Sequence, residues 1–205
     1  MVRLAPTKRK KARIGPDDDG RRMSLADFEH VDVQEGYLYE LGRGVIQVSN
    51  VPALKHGLQV RELRHQISAY EQANPEAIYF SGEGGDAKLL ISATESERHP
   101  DFAIYLSAPP DVKDVWPLWV PDIAIEVVSE SSAKRDYEEK PEDYHRLGVR
   151  EYWIIDAMKE HMTANVRLRG QWKPQIVKPP AKYSTPLLPG FSLNVKKIVA
   201  AARRK

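Results

Sequence analysis

Apolar and polar positions along this chain mark out most of its elements. Tyr37-Leu-Tyr-Glu-Leu and Val45-Ile-Gln-Val-Ser are rich in β-formers, and Gly42-Arg-Gly44 between them predicts a hairpin. Over 54–74 the apolar residues Leu54, Leu58, Leu63, Ile67 and Tyr70 fall near helical spacing, and Pro75 stops the pattern. Four short strands are expected at 77–81, 88–92, 101–106 and 122–128. The last two are nearly unbroken apolar runs, as in strands covered on both faces. Residues 135–147 read as a helix closed by Gly148, and 151–156 as another buried strand. Two strands near 162–168 and 172–177 follow, and a final helix begins at about Val195. Ser24-Leu-Ala-Asp-Phe has the form of a short N-capped helix. Together these elements predict an α/β (α+β) fold with a central mixed β-sheet flanked by helices.

Composition narrows the chemistry. The chain has 205 residues, 41% of them hydrophobic, which suits one domain with a real core. The absence of cysteine excludes disulfides, thiolate zinc sites, iron–sulfur clusters and cysteine nucleophiles. No apolar run is long enough to cross a membrane, and no apolar stretch follows the basic N-terminus as in a secretory signal. The default expectation is a cytoplasmic protein without membrane partners. The net charge of +2 is unevenly spread: residues 1–22 carry +5, residues 203–205 carry +3, and the remainder is therefore about −6. Residues 1–22 have few apolar side chains and are expected to form a disordered basic tail, 23–202 the folded domain and 203–205 a basic end. Phosphate-rich partners need positive potential, and here the tails or a local patch would supply it.

Two strands are interrupted by acids. His99-Pro-Asp101-Phe-Ala-Ile-Tyr places Asp101 at a strand start, and Pro121-Asp-Ile-Ala-Ile-Glu126-Val-Val-Ser129 places Glu126 near a strand end. Side chains alternate along a strand, so Asp122, Ala124, Glu126 and Val128 share a face. A carboxylate among Ile125, Val127 and Val128 is costly to bury without a cation or hydrogen bonds. Two carboxylates on neighbouring strands suit a hard divalent cation, which can polarise a phosphate oxygen and activate water. Lys140 lies fourteen residues after Glu126 on the following helix, within reach of the same place. An aspartate at a strand start is by itself a cap, and a lone helical lysine is a solvated surface residue. Glu126 is the one whose neighbours demand an explanation.

Pro121-Asp-Ile-Ala-Ile-Glu-Val-Val-Ser-Glu-Ser-Ser, then Asp136, Lys140, Tyr144, Gly148-Val149 and Glu151-Tyr-Trp-Ile-Ile-Asp156, resembles the Uma-type restriction endonuclease family of the PD-(D/E)XK nuclease superfamily. The resemblance extends to Tyr39-Glu-Leu, Gly44-Val-Ile, His56, Pro100-Asp101 and Leu188-Pro-Gly-Phe. It implies a restriction-endonuclease-like fold, Mg²⁺ or Mn²⁺ as cofactor, and hydrolysis of phosphodiester bonds in DNA. It makes Asp101 the motif aspartate and metal ligand, Glu126 the second acid, and Glu40 an additional metal ligand. His56 matches a family position without an assigned role, and Ser129 and Asp136 hold the loop and helix start. The superfamily usually carries lysine two residues after the second acid. Here that position is Val128, and the resemblance moves the lysine to Lys140. Pro141 follows directly, so the helix is expected either to begin there or to kink. A homodimer is a family-level expectation.

Other chemistry finds little support. Gly82-Glu-Gly-Gly85 lacks the Lys-Ser/Thr of a phosphate loop and reads as a turn. His145 and His161 have no partner at zinc spacing, and Ser129, Ser131 and Ser132 lack a nucleophile-elbow context. Trp116, Trp119 and Trp172 read as packing residues, with base stacking the rival role. Three functions remain open: a metal-dependent endonuclease, a non-cutting nuclease-fold module that binds nucleic acid or protein, and a hydrolase of smaller phosphoesters.

Overall fold

The computed structural model describes residues 11–203. It begins with β1 (Arg13–Ile14), α1 (Leu25–Phe28) and β2 (Asp32–Val33), with β1 and β2 paired in parallel. The expected hairpin is β3 (Tyr37–Gly42) with β4 (Val45–Asn50), and α2 (Leu54–Ala73) follows it. β5 (Phe80–Gly82), β6 (Leu89–Ile91), β7 (Ser96–Arg98), β8 (Phe102–Tyr105) and β9 (Ile123–Val127) lead to α3 (Lys140–Leu147). β10 (Glu151–Asp156), β11 (His161–Leu168), β12 (Gln171–Val177) and α4 (Val195–Ala201) complete the chain.

Two sheets carry the architecture. The larger has the order β12-β11-β10-β9-β8-β5 and is mixed: β9 and β10 are parallel, and the other neighbours are antiparallel. The smaller is antiparallel, in the order β4-β3-β7-β6. Alternation along β9 sorts its side chains as the sequence pattern requires. Ile123, Ile125 and Val127 enter one core with Leu63 and Ile67 of α2 and Ile198 of α4. Ala124 and Val128 enter another with Tyr144 of α3 and Tyr152 and Ile154 of β10. Glu126 therefore lies on the face covered by α3.

The segment 11–22 departs from the expected disorder; residues 1–10 lie outside the described residues. Ile14 is buried among Leu25, Phe28, Tyr39, Leu41 and Ile46. The backbone of 20–23 runs along β4: Gly20 N–H donates to Ile46 O, Ile46 N–H to Arg21 O, and Met23 N–H to Gly44 O. One well-placed isoleucine and a free strand edge are enough to order a segment whose average composition is polar. At the other end, Arg203 forms an ion pair with Glu160, so the folded part reaches past 202.

The helix around Lys140 does not begin at Pro141. Arg135–Glu139 is a π-turn that runs directly into α3, and Lys140 N–H donates to Arg135 O. Lys140 keeps helical dihedrals (φ −61°, ψ −32°) although proline follows it. Pro141 has no N–H to lose, which makes it compatible with a widened turn just before it. The helix ends at Gly148, whose φ of +108° is the left-handed conformation that glycine adopts without strain.

Candidate active site

Asp101 stands one residue before β8. The β8–β9 register pairs Phe102 with Ile125, so the next position places Asp101 opposite Glu126. Cross-strand neighbours of this kind share a face, with Cβ atoms roughly 5 Å apart. Asp101 Oδ2 accepts the Val127 N–H at 2.8 Å and meets His56 Nε2, from α2, at 3.1 Å. Glu126, 3% exposed, accepts Lys140 Nζ at 2.9 Å and the Tyr144 hydroxyl at 2.6 Å, both on Oε1. Among the described residues, Asp101 Oδ1 and Glu126 Oε2 accept no hydrogen bond. Each acid is thus held through one oxygen and keeps the other free.

Lys140 is the hub of the cluster. Besides Glu126, its ammonium lies 3.4 Å from Asp136 Oδ1 and 3.6 Å from Glu40 Oε1. Glu40, from β3, also accepts the His99 N–H at 3.0 Å and pairs with Arg98 at 3.4 Å. Arg98 is fully buried and reaches Asp143 of α3 at 2.8 Å and Glu139 at 3.6 Å. Glu40, His56, Asp101, Glu126 and Lys140 all line one cavity of about 960 Å³, together with the Ser129–Ser132 loop.

Acids outnumber bases here, and the electrostatics follow from that. Burial pushes Glu126 up to about 8, against the pull of Lys140 and with Asp101, Asp136 and Glu40 adding to the effect. Burial also works against Glu40, but Lys140, Arg98 and the His99 N–H outweigh it and hold Glu40 at about 2. Burial raises Asp136, against the pull of Lys140 and the Ser132 hydroxyl. Burial works against the Lys140 ammonium too, but the three carboxylates around it prevail and its pKa rises. His56 is likewise raised: its contact with Asp101 outweighs its burial. A cluster that forces a proton onto one of its own carboxylates has capacity for further positive charge.

Residues 25–196 match the Uma2 family, described as "Putative restriction endonuclease". The chain belongs to the Uma2 family. Among solved structures it is similar to "a putative nuclease belonging to DUF820" from Anabaena variabilis ATCC 29413, at 18% identity and a TM-score of 0.71. The match covers 88% of this chain and 99% of that one, and it shows a restriction-endonuclease-like fold. No curated protein matches the chain.

The Uma2 match starts at residue 25, so the folded strap of 11–24 lies outside it. Within it, the structure brings Asp101, Glu126, Lys140, Glu40 and His56 to one cavity. Among the described residues no group of three His, Asp or Glu side chains is arranged to hold a metal ion, so a cation would rest on fewer protein ligands. Three partners were not singled out by sequence reasoning as cluster members. Tyr144 carried no signal beyond its place in the family pattern. Asp136 read only as a helix-start residue. Arg98 is the third, and arginine defaults to the surface until its carboxylate partners are known.

Proposed function

We propose that this Uma2 protein is a metal-dependent endonuclease that hydrolyses phosphodiester bonds of DNA, with Mg²⁺ or Mn²⁺ as cofactor. The observation that supports this reading is the pairing of Asp101 and Glu126 across β8 and β9, each with one free oxygen, beside the Lys140 ammonium in an open cavity. Hard oxygen donors on a site with surplus negative charge fit a divalent cation, whose remaining positions water and substrate phosphate can fill. Asp101 and Glu126 would hold it, and Glu40, engaged by the His99 N–H, Lys140 and Arg98, would add negative charge beside it. When bound, such an ion stabilises negative charge on a phosphoryl oxygen.

The chain's own groups supply the rest. Tyr144 and Lys140 both engage Oε1 of Glu126, leaving Oε2 without a hydrogen-bond partner among the described residues. The Val127 N–H and His56 do the same for Asp101. Lys140 keeps its proton across the physiological range, so it acts as a fixed charge: it orients the attacking water and stabilises the pentavalent phosphate. Its position on α3 replaces the lysine that Val128 does not provide.

The test is cleavage of plasmid and single-stranded DNA by purified protein in Mg²⁺ or Mn²⁺, beside Glu126→Ala and Lys140→Ala. Metal-dependent cleavage that both substitutions abolish supports the reading. Metal binding by calorimetry without cleavage points to a narrow target or a smaller phosphoester. Absence of both metal binding and cleavage overturns the nuclease in favour of a binding module.

A further inference from the structure

The cations lining the cavity fall into two sets. Lys140 is committed to Glu40, Glu126 and Asp136, and Lys88 to Glu29 and Glu97 at 3.5 and 3.2 Å. His99 meets Glu97 and His56 meets Asp101, both at 3.1 Å. Arg135 and Lys55 line the same cavity, and among the described residues neither has a carboxylate within ion-pair distance. The two differ in burial: Lys55 is exposed, as a solvated lysine should be, whereas Arg135 is partly buried. The Arg135 Nε–H is buried and has no acceptor. An unmet buried donor on a charged group is costly, so a partner is expected to complete it.

What that partner is follows from the surroundings. Neighbouring carboxylates are abundant, yet Arg135 pairs with none and instead faces the cavity. A guanidinium offers a planar fork of N–H groups that matches phosphate oxygens two at a time. We propose that Arg135 binds a phosphate group of a nucleic-acid strand, clamping it against the Ser129–Ser132 wall beside Asp101 and Glu126. This rests on the nuclease reading and assigns the part of the site that meets the substrate backbone. The Lys140 charge, already shared among three acids, serves the reacting phosphate, and Arg135 serves its neighbour on the strand.

The Arg135 Nε–H gives a direct readout. In ¹⁵N-edited NMR its cross-peak is assigned by its loss in Arg135→Lys, and inorganic phosphate is titrated in EDTA against chloride at equal ionic strength. The expected result is a saturable shift with phosphate and none with chloride. In a second arm, binding of a fluorescent duplex is followed by anisotropy in Ca²⁺ over a range of salt. Arg135→Ala should weaken binding several-fold and lower the slope of log K against log salt by about one, with Lys178→Ala unchanged as a surface control. An unmoved cross-peak together with wild-type duplex binding by Arg135→Ala overturns the proposal. A phosphate-induced shift without any duplex binding by the wild type keeps the anion site and overturns its assignment to a nucleic-acid strand. Thermal unfolding of Arg135→Ala confirms that the variant remains folded in either case.

Discussion

Replacing Arg98 with methionine would leave Glu40, Glu139 and Asp143 facing one another with their common counter-charge gone. Breaking a buried ion pair from one side costs about 3–5 kcal/mol, because the remaining charge stays desolvated. Arg98→Met should therefore lose about that much in urea unfolding; a loss below about 1 kcal/mol, the usual range of surface pairs, would show that the guanidinium is not the keystone. Glu126 makes a prediction of the opposite kind, about pH. Its folded value, about 8, lies above the ordinary carboxyl value of 4.5. The folded state thus holds a proton that the unfolded chain releases, and stability from this group is complete below about 4.5 and declines as pH rises through 8. In EDTA, unfolding free energy should fall between pH 5 and pH 9, and Glu126→Gln should flatten that fall. The amide oxygen still accepts from Lys140 and Tyr144, so the substitution removes the titration while keeping the bonds. An unchanged pH slope in Glu126→Gln would assign the cluster's proton elsewhere.

The elements were legible where burial has a period. The β3–β4 hairpin, α2, β8 to β10 and α4 lie close to where alternation and helical spacing put them, and Gly148 closes α3 as its type predicts. β7 was not legible, because Ser96-Glu-Arg98 is polar and yet wholly buried, with Glu97 paired to Lys88 and His99, and Arg98 to the distant Asp143. The π-turn was not legible either: Pro141 signalled an irregularity but not its form. Of the site, Glu126 could be read from local chemistry alone, as an acid in an apolar strand. Asp101, Lys140 and Glu40 needed the family pattern, and Arg98 and Arg135 needed the structure. Gly148 offers a test confined to its element. A Cβ there meets nothing within 4 Å, so the cost of Gly148→Ala is the left-handed backbone alone, about 1–2 kcal/mol. On the proposed nuclease reading, cleavage per folded molecule should be unchanged, since Lys140 sits at the other end of α3. Loss of activity beyond the loss of folded protein would mean that the helix end sets the lysine's position.

At the scale of the whole molecule the site spans two sheets. Asp101 and Glu126 come from the larger, Glu40 from the smaller, and α3 with Arg98 of β7 ties the two together. The smaller sheet has its own core, in which Ile14 packs with Leu25, Phe28, Tyr39, Leu41 and Ile46. Tyr39 and Leu41 flank Glu40, so the strap at 11–24 supports a site residue although it precedes the family match. Truncating Ile14 removes a fully buried side chain from this small cluster. Ile→Ala changes cost about 2–5 kcal/mol, and a peripheral cluster that can partly collapse belongs near the lower end. Because the Ile14 cluster is distinct from those that pack β9 and β10, the damage should be local before it is global. Hydrogen exchange in Ile14→Ala should speed up at the β3 and β4 amides while β9 and β10 keep their protection. On the proposed metal-dependent reading, Mg²⁺ affinity should fall less than in Asp101→Ala, because Ile14 reaches the site only through the strand that carries Glu40. Uniform acceleration across both sheets would instead show that the strap holds the domain together as a whole, and no acceleration would reduce it to a passive cover over the β4 edge.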